Sequence, residues 1–319
     1  MNNKKIYISS CHNDGGVYSY KLCDGVLTNE VFNPCPNPMY TIYNDNKLYV
    51  LLRDPFDKSD DSGIFTACVN NEGYLTDISE TVSTLGVVGC HLCTDGKDVY
   101  AANYVSGSVV KLRGKLVTHE GKSVHPTRQE KAHCHFVSIT PDEKYILAVD
   151  LGMDAIVVYD KDLNEVGRVH APAGNGPRHL IFSSDGKLCY CADELSSTVS
   201  VYRYKDGTLT YLDCYSALPK DFNEKSTIAA IREKDGYVYT SNRGHDSIAV
   251  FKADGEKLSL VNIFSCEGKG PRDFDITENI LISTNEGDGC VTVFDITDIE
   301  NPLLKQKLNV KNALCVTIV

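Results

Sequence analysis

Residues 135–160 read HFVSITPDEKYILAVDLGMDAIVVYD, and residues 178–204 read RHLIFSSDGKLCYCADELSSTVSVYRY. Each stretch is an apolar run, a polar turn, a second apolar run ending in Asp, a short polar loop and a third run rich in Val and Tyr. Similar units begin at Ile228 and Arg272, and a looser copy begins at Cys90. Runs such as AIVVYD contain the β-branched and aromatic residues that favour strands. The chain is therefore predicted to repeat one unit of short β-strands.

The second run of each unit ends in a marker Asn or Asp, and the spacing of these markers is in the forties. The markers are Asn103, Asp150, Asp193, Asn242 and Asn285. A period of this length with three or four strands per unit is typical of a β-propeller. Two looser units precede Cys90, and the last apolar run, ALCVTIV at 313–319, would supply the inner strand that the first unit lacks. We predict an all-β, seven-bladed β-propeller, one domain over residues 1–319, closed by pairing the C-terminal strand with the N-terminal blade.

Composition limits the partners and the compartment. The formal net charge of −11 argues against nucleic acid or an anionic membrane surface as a partner. No run of 18 apolar residues is present, and the N-terminus MNNKKIYISSCHND lacks the apolar segment of a secretory signal. The thirteen cysteines are therefore expected to be reduced thiols in the cytoplasm, mostly filling the core. The oligomeric state is not specified by this sequence.

Ionisable residues recur at the two blade positions that should meet at one end of the propeller. The first strand of a blade lines the central channel, so its start lies beside the end of the antiparallel second strand. The strand-start position holds Cys90, His135, Arg178, Arg272 and a residue near Ile228. The residue after the marker is Tyr104, Leu151, Glu194, Arg243 or Glu286, with Arg53 equivalent in the second blade. Such a cluster of ionisable side chains is suitable for acid–base chemistry and for anion recognition. The alternative is that these side chains line the channel and pair only with one another, without a catalytic role.

Other chemical motifs carry weaker signals. His133, Cys134 and His135 include types that bind metals, but a closed structural zinc site needs four ligands and no partner set is evident. The CxxC spacing of Cys90 and Cys93 has no second copy, and buried thiols explain it better. No G-x-S-x-G, P-loop or dinucleotide-binding motif occurs in a suitable context. We expect neither a metal nor an organic cofactor.

Three long motifs carry a resemblance that extends over nearly the whole chain. They are HCHFVSITPDEKYILAVDLGMDAIVVY from His133, GNGPRHLIFSSDGKLCYCADELSSTVSVY from Gly174, and SNRGHDSIAVF from Ser241. The sequence resembles the propeller-type 6-phosphogluconolactonase family, which is related to the fungal carboxymuconate-cyclising propellers. The resemblance implies a seven-bladed propeller that hydrolyses a sugar-acid δ-lactone without an organic cofactor. It also implies a site at His135, Arg178, Glu194 and Arg243.

The expected reaction is hydrolysis of 6-phospho-D-glucono-1,5-lactone to 6-phosphogluconate, a step of the pentose phosphate pathway. Glu194 or His135 would act as the base while the other protonates the leaving oxygen, and Arg178 would stabilise the oxyanion. Arg243, with Arg53 or Arg272, would bind the phosphate because arginine suits bidentate oxyanion recognition. The remaining residues expected to contact this small anionic substrate are Tyr104, His179 and Glu286.

Two other functions stay open at this point. A related lactonase or a carboxymuconate-type cycloisomerase would use the same constellation on another carboxylate substrate. A non-catalytic binding propeller belongs to a different class, since one fold hosts many functions. The loops Arg53–Gly63 and Leu218–Ser226 are both expected on the open face, where they would form a partial lid.

Overall fold

The computed structural model describes residues 4–54 and 59–319. Over these residues all regular secondary structure is β-strand, and the twenty-nine strands form seven antiparallel sheets. No helix in the described part of the chain could cross a membrane. The predicted all-β fold class is confirmed.

Each sheet is one blade. In blades 2 to 7 the strands follow chain order from the inner edge to the outer edge, whereas the inner strand of blade 1 is supplied by residues 313–318. Blade 1 contains β1 (Lys4–Ser10), β2 (Gly16–Cys23) and β3 (Val26–Pro34). Blade 2 contains β4 (Pro38–Asn44), β5 (Lys47–Leu52), β6 (Gly63–Val69), β7 (Leu75–Thr76) and β8 (Val82–Ser83), and both short strands pair with β6. Blade 3 contains β9 (Gly89–Thr94), β10 (Val99–Asn103), β11 (Ser108–Lys111) and β12 (Leu116–Thr118).

The next four blades are more regular. Blade 4 contains β13 (Cys134–Ile139), β14 (Tyr145–Asp150), β15 (Ala155–Asp160) and β16 (Glu165–His170). Blade 5 contains β17 (Pro177–Phe182), β18 (Leu188–Asp193), β19 (Thr198–Lys205) and β20 (Thr208–Ser216). Blade 6 contains β21 (Thr227–Lys234), β22 (Tyr237–Arg243), β23 (Ser247–Asp254) and β24 (Lys257–Ser265). Blade 7 contains β25 (Pro271–Thr277), β26 (Ile280–Asn285), β27 (Cys290–Asp295) and β28 (Leu303–Asn309), and the chain ends with β29 (Ala313–Ile318).

The last strand closes the ring. β29 pairs antiparallel with β1, with Val316 opposite Ile8, and so becomes the inner strand of blade 1. The inner strands β29, β4, β9, β13, β17, β21 and β25 contact one another in that order, and β25 contacts β29 again. The predicted closure by the C-terminal strand is therefore confirmed.

The core consists of apolar layers between neighbouring blades. Successive side chains of a strand point to opposite faces of its sheet. On β14, Ile146 and Ala148 join the apolar layer shared with blade 3, whereas Leu147 and Val149 join the layer shared with blade 5. Because both faces are buried, the middle strands of the blades are continuous apolar runs and do not alternate with polar residues.

The inner strands contain one residue more than their partner strands at the end where each inner strand begins. In blade 4, Cys134 pairs with Asp150 and Phe136 pairs with Val149, which leaves His135 without a partner. The same bulge leaves out Met39, Cys90, His135, Arg178, Arg272 and Leu314 in six of the blades. In blade 6 the two residues Ala229 and Ala230 lie opposite the single residue Ser241 of the partner strand. A β-bulge turns a side chain away from the regular alternation, so these positions can face the propeller axis.

Removing side-chain volume from the closing strand should destabilise the protein more than the same change on an outer strand. Val316 on β29 is 2% exposed, whereas Val166 on β16 is 52% exposed. We expect Val316→Ala to lower the free energy of unfolding by roughly 2 kcal/mol, and Val166→Ala by less than about 0.5 kcal/mol. Denaturant titration of both variants measures the difference, and equal losses would contradict the closing role of β29.

Candidate functional site

A repeated backbone hydrogen bond places the residue after each second strand beside the bulge. The amide of Glu194 donates to the carbonyl of Gly176 at 2.7 Å, and the amide of Tyr104 donates to Val88 at 2.8 Å. The equivalent bond occurs at Cys11, Arg53, Leu151 and Glu286. In each of these blades the acceptor lies two residues before the bulged residue. The bulged residues form one series of side chains and the residues after the second strands form another, and the two series alternate around one end of the channel.

The two series enclose a cavity of about 330 Å³ at this end of the propeller. Its walls consist of Met39, Arg53, Val88, Cys90, Tyr104, Arg128, His135, Glu194, Arg243 and Arg272. Six of the nine predicted site residues are in this set, and the other three, Arg178, His179 and Glu286, lie behind it or beside it. The loop Leu218–Ser226 contributes no wall residue, and residues 55–58 of the other predicted lid loop lie outside the described residues.

Glu194 is the centre of the charged cluster, with a side chain that is only 4% exposed. Its Oε1 atom accepts a hydrogen bond from Arg128 Nη2 at 2.5 Å. Its Oε2 atom lies 3.0 Å from Arg178 Nε and 3.1 Å from Arg243 Nη2. The Arg178 Nε–H is buried without an aligned acceptor, so that contact is an ion pair and not a hydrogen bond. Three guanidinium groups thus surround one carboxylate.

The three arginines determine the protonation state of Glu194. Burial raises the pKa of a carboxyl group, because it penalises the charged form. Here Arg243 and Arg178 outweigh burial, and the pKa of Glu194 is held well below its ordinary value. Glu194 is therefore an anion at any working pH and has no proton to donate.

Arg178 and His179 lie behind the cavity wall. Arg178 is 2% exposed, and its Nη1 atom donates to the carbonyl of Ala229 at 2.8 Å and lies 3.1 Å from His179 Nε2. Because an arginine can only donate, Nε2 must accept and the His179 proton must be on Nδ1. Burial, followed by repulsion from Arg178, lowers the pKa of His179 well below its usual value. Arg178 therefore acts on the cavity through Glu194, and His179 is a neutral residue of the channel.

His135 is the bulged residue of blade 4 and forms part of the cavity wall. Burial and the charge of Arg178 lower its pKa well below the usual histidine value, so the imidazole is neutral at neutral pH. Its Nδ1 atom is buried and has no hydrogen-bond partner in the described structure. Nε2 is therefore the ring nitrogen that a ligand in the cavity could use. A neutral imidazole can accept a proton, which makes it suitable as a general base.

The cavity has an excess of positive charge. Arg272 Nη1 is paired with Glu286 Oε2 at 2.9 Å, and Arg53 has no ion pair within the described residues. With Arg128, Arg178 and Arg243, these form a cluster of five guanidinium groups beside two carboxylates. The cavity is a local exception to the acidic net charge of the chain, and the site suits a ligand with more than one negative charge.

Arg128 is the functional candidate that the repeat pattern did not reveal. It lies in the segment 119–133, which connects β12 to β13 and belongs to no blade. Its Nη2 atom also donates to the Tyr104 hydroxyl at 3.2 Å, so it joins two of the predicted site residues. The unusual length of this connection, with HPTRQEK in its second half, was the available signal.

The side chains of His133, Cys134 and His135 point in different directions. His133 Nδ1 lies 3.1 Å from the carbonyl of Tyr104, whereas His135 faces the cavity. Cys134 Sγ lies 3.1 Å from His119 Nδ1 and 3.4 Å from Asp150 Oδ2. His119, Cys134 and Asp150 form the one group in the described ranges whose potential metal-binding atoms are within 4.8 Å of one another.

Hydrogen bonds account for the positions of His119, Cys134 and Asp150. His119 Nδ1 lies 2.8 Å from Asp150 Oδ2, and His119 Nε2 lies 2.7 Å from the Tyr159 hydroxyl. Asp150 Oδ1 also accepts the backbone amides of His133 and Met153. The network attaches the segment 119–133 to blade 4 and fixes the residues next to His135.

The cysteines of the site offer no nucleophile. All thirteen cysteines lie in the described ranges, and none forms a disulfide. Burial raises the pKa of the Cys90 thiol, which forms part of the cavity wall, to about 12. Because the thiolate is the reactive form, this side chain is inert at neutral pH.

Comparison with known proteins gives the class to which this fold and site belong. The family model "Lactonase, 7-bladed beta-propeller" matches residues 5–318. The chain belongs to this family of seven-bladed β-propeller lactonases.

Three proteins are similar to this chain over 95% or more of its length. An uncharacterised protein of Staphylococcus epidermidis is 33% identical, over 95% of this chain and 96% of its own. A crystal structure of a proposed 6-phosphogluconolactonase from Bacteroides fragilis is 26% identical, with a TM-score of 0.89 over 100% of this chain and 98% of that chain. The periplasmic gluconolactonase PpgL of Pseudomonas aeruginosa is 24% identical, covers 99% of both chains with a TM-score of 0.90, and shares the fold.

Proposed function

We propose that the protein hydrolyses a sugar-acid δ-lactone, with 6-phospho-D-glucono-1,5-lactone as its substrate. The observation that carries the proposal is a neutral His135 in the same cavity as several arginines. This arrangement provides a base for water and cations for the anions of the substrate and transition state. Membership of the lactonase family and similarity to the proposed Bacteroides enzyme support the reaction and the substrate, respectively.

In the first step, water attacks the lactone carbonyl. The water oxygen forms a bond to the carbonyl carbon while His135 Nε2 accepts a proton from the water. The electron pair of the C=O bond moves to the carbonyl oxygen, which becomes an oxyanion. Arg243 forms part of the cavity wall, and we assign it the stabilisation of this charge, because Arg178 is buried behind Glu194.

In the second step, the oxyanion re-forms the carbonyl and the bond to the ring oxygen breaks. The protonated His135 returns its proton to this oxygen, so one molecule of water is added and the open hydroxy acid is released. His135 is thus both the base and the acid, because Glu194 remains ionised and cannot protonate the leaving group. Glu194 instead holds Arg128, Arg178 and Arg243 in position.

The phosphate of the substrate is assigned to the free cations of the cavity. Arg53, which has no ion pair among the described residues, and Arg272, whose charge is shared with Glu286, both form part of the wall. Arginine binds phosphate through parallel N–H···O bonds, which explains why these residues are not lysines. The partner of this site would be a small anionic sugar lactone and not a nucleic acid, and the free thiols are consistent with a cytoplasmic protein.

Removing the His135 imidazole should abolish most of the catalysed rate. We expect His135→Ala to lower kcat for 6-phospho-D-glucono-1,5-lactone by about 10²- to 10⁴-fold, the usual contribution of a positioned acid–base group. His170→Ala is the matched control, because His170 is exposed on the outer strand of the same blade. The measurement is the initial rate of acid release, corrected for spontaneous hydrolysis. Wild-type turnover by both variants would contradict the mechanism.

The pH profile should show a base of low pKa. His135 is active when unprotonated, so kcat/KM falls as the pH decreases through its pKa, which lies well below 6.5. We therefore expect nearly constant kcat/KM from pH 7.5 down to pH 6.5, with the acidic decrease at lower pH. An acidic limb centred at or above pH 6.5 would be incompatible with His135 as the base.

The arginine cluster also favours a second candidate, a lactone that carries a carboxylate where the first carries a phosphate. A guanidinium group binds both anions, and a cycloisomerase would use the same residues. Rates for phosphorylated, carboxylated and unsubstituted lactones distinguish the two. Selective turnover of the phosphorylated lactone supports the first candidate, and selective turnover of the carboxylated lactone supports the second. Absence of turnover with all three would leave the non-catalytic propeller.

A further inference from the structure

The two oxygens of Glu194 have different partners. Oε2 is held by Arg178 and Arg243, which belong to blades 5 and 6, and their side chains are 2% and 19% exposed. Oε1 is held by Arg128, whose side chain is 36% exposed. Arg128 is therefore the most accessible of the three guanidinium groups, at the mouth of the cavity, while His135 lies deeper at 5% exposed.

One corner of the Arg128 guanidinium is fixed and the other two are open. Nη2 donates both to Glu194 Oε1 and to the Tyr104 hydroxyl. Nε and Nη1 make no hydrogen bond to any residue in the described ranges. The Nε–H lies on the Nη2 side of the guanidinium and the Nη1 hydrogens lie on the other side, so each free nitrogen can donate a single charge-assisted hydrogen bond to a phosphate or a carboxylate.

The backbone that carries Arg128 is also fixed. The amide of Arg128 donates to His125 Nδ1 at 3.2 Å, and the Gln129 side chain donates to the carbonyl of Leu151 at 2.9 Å. Gln129 is fully buried, and Ser123 donates to Asp154 Oδ2 at 2.5 Å. The segment 119–133 therefore holds Arg128 over the cavity before any ligand binds, which reduces the entropy lost on binding.

We propose that Arg128 is a specificity-determining residue of the site, and that a free N–H of its Nε or Nη1 atom binds the anionic group at the end of the substrate farthest from the lactone carbonyl, a group that it shares with Arg53 and Arg272. This inference rests on the proposed function for the identity of the reacting group. With the carbonyl beside His135 at the base of the cavity, the far end of the substrate points toward the mouth, where Arg128 lies. Glu194 and Tyr104 then act as positioning residues for Arg128.

The experiment compares Arg128→Gln and Arg128→Lys with the wild type on 6-phospho-D-glucono-1,5-lactone. Loss of a charge-assisted hydrogen bond should raise KM about 10- to 100-fold for Arg128→Gln, while kcat changes less than about 3-fold. Arg128→Lys keeps the charge without the planar arrangement of donors that reaches Glu194, Tyr104 and the ligand together, and it should give an intermediate KM. Arg168→Gln is the matched control, because Arg168 is a similarly exposed arginine of blade 4 that is paired with Glu165.

Calorimetric binding of 6-phosphogluconate and gluconate to the same four proteins separates this inference from the proposed function. The expected result is that Arg128→Gln weakens 6-phosphogluconate binding about 10- to 100-fold and leaves gluconate binding unchanged. Equal weakening of both compounds, or unchanged binding of 6-phosphogluconate, would overturn the role of Arg128 even if the wild type is an active lactonase. Absence of lactone turnover by the wild type would refute the proposed function, while a phosphate-selective loss of binding would still support Arg128.

Thermal unfolding shows whether the comparison is valid. Both Arg128 variants should unfold within a few degrees of the wild type, because Arg178 and Arg243 still neutralise the Glu194 carboxylate. If Arg128→Gln does not fold, Arg128→Lys alone carries the test, and a wild-type affinity of Arg128→Lys for 6-phosphogluconate would overturn the proposal.

Discussion

An extra residue at the start of each inner strand is the constraint on which the site depends. Regular strands direct every side chain into one of the two apolar layers that separate neighbouring blades, so a perfect seven-bladed ring would have no position left for chemistry. The bulge removes one residue per blade from this alternation and turns it toward the axis. His135 and Arg272 reach the cavity in this way, while Met39 and Cys90 supply the apolar part of its wall.

The charges at the site form one unit that extends over several blades. Burial of the Glu194 carboxylate is unfavourable by itself, and it is tolerated because guanidinium groups from two blades and from an inter-blade segment compensate for it. The arginines depend on Glu194 in the same way, because without it they would repel one another in a poorly solvated space. A change in the angle between blades 4, 5 and 6 would therefore alter protonation and ligand affinity together.

The fold could be predicted almost completely from the sequence because the repeat is periodic. His135, Arg178 and Arg272 could be located because each begins an inner strand, and that position follows from the register of the repeat. The direction of the Arg178 side chain, behind Glu194 and away from the cavity, could not be predicted, since a bulge sets direction through local backbone geometry. Arg128 was missed because it lies in a connection that has no counterpart in the other blades.

The protonation states could not be predicted either. The sequence alone does not distinguish Glu194 from His135 as the base, because a pKa depends on burial and on charges that come from distant parts of the chain. The structure shows Glu194 held as an anion by arginines and His135 kept neutral by burial and by Arg178. Sequence proximity gives no indication of this, since Arg128 and Glu194 are 66 residues apart.

The closure of the ring by β29 determines when the protein can become complete during its synthesis. The Ser10 hydroxyl donates to the carbonyl of Lys311, 301 residues later, so blade 1 joins residues that are far apart in the order of synthesis. While the ribosome is still producing blades 2 to 7, the inner edge of β1 has no partner and presents unpaired backbone groups. The nascent chain is thus exposed to strand pairing with other chains until β29 emerges, and this interval is when a chaperone would be most useful to it.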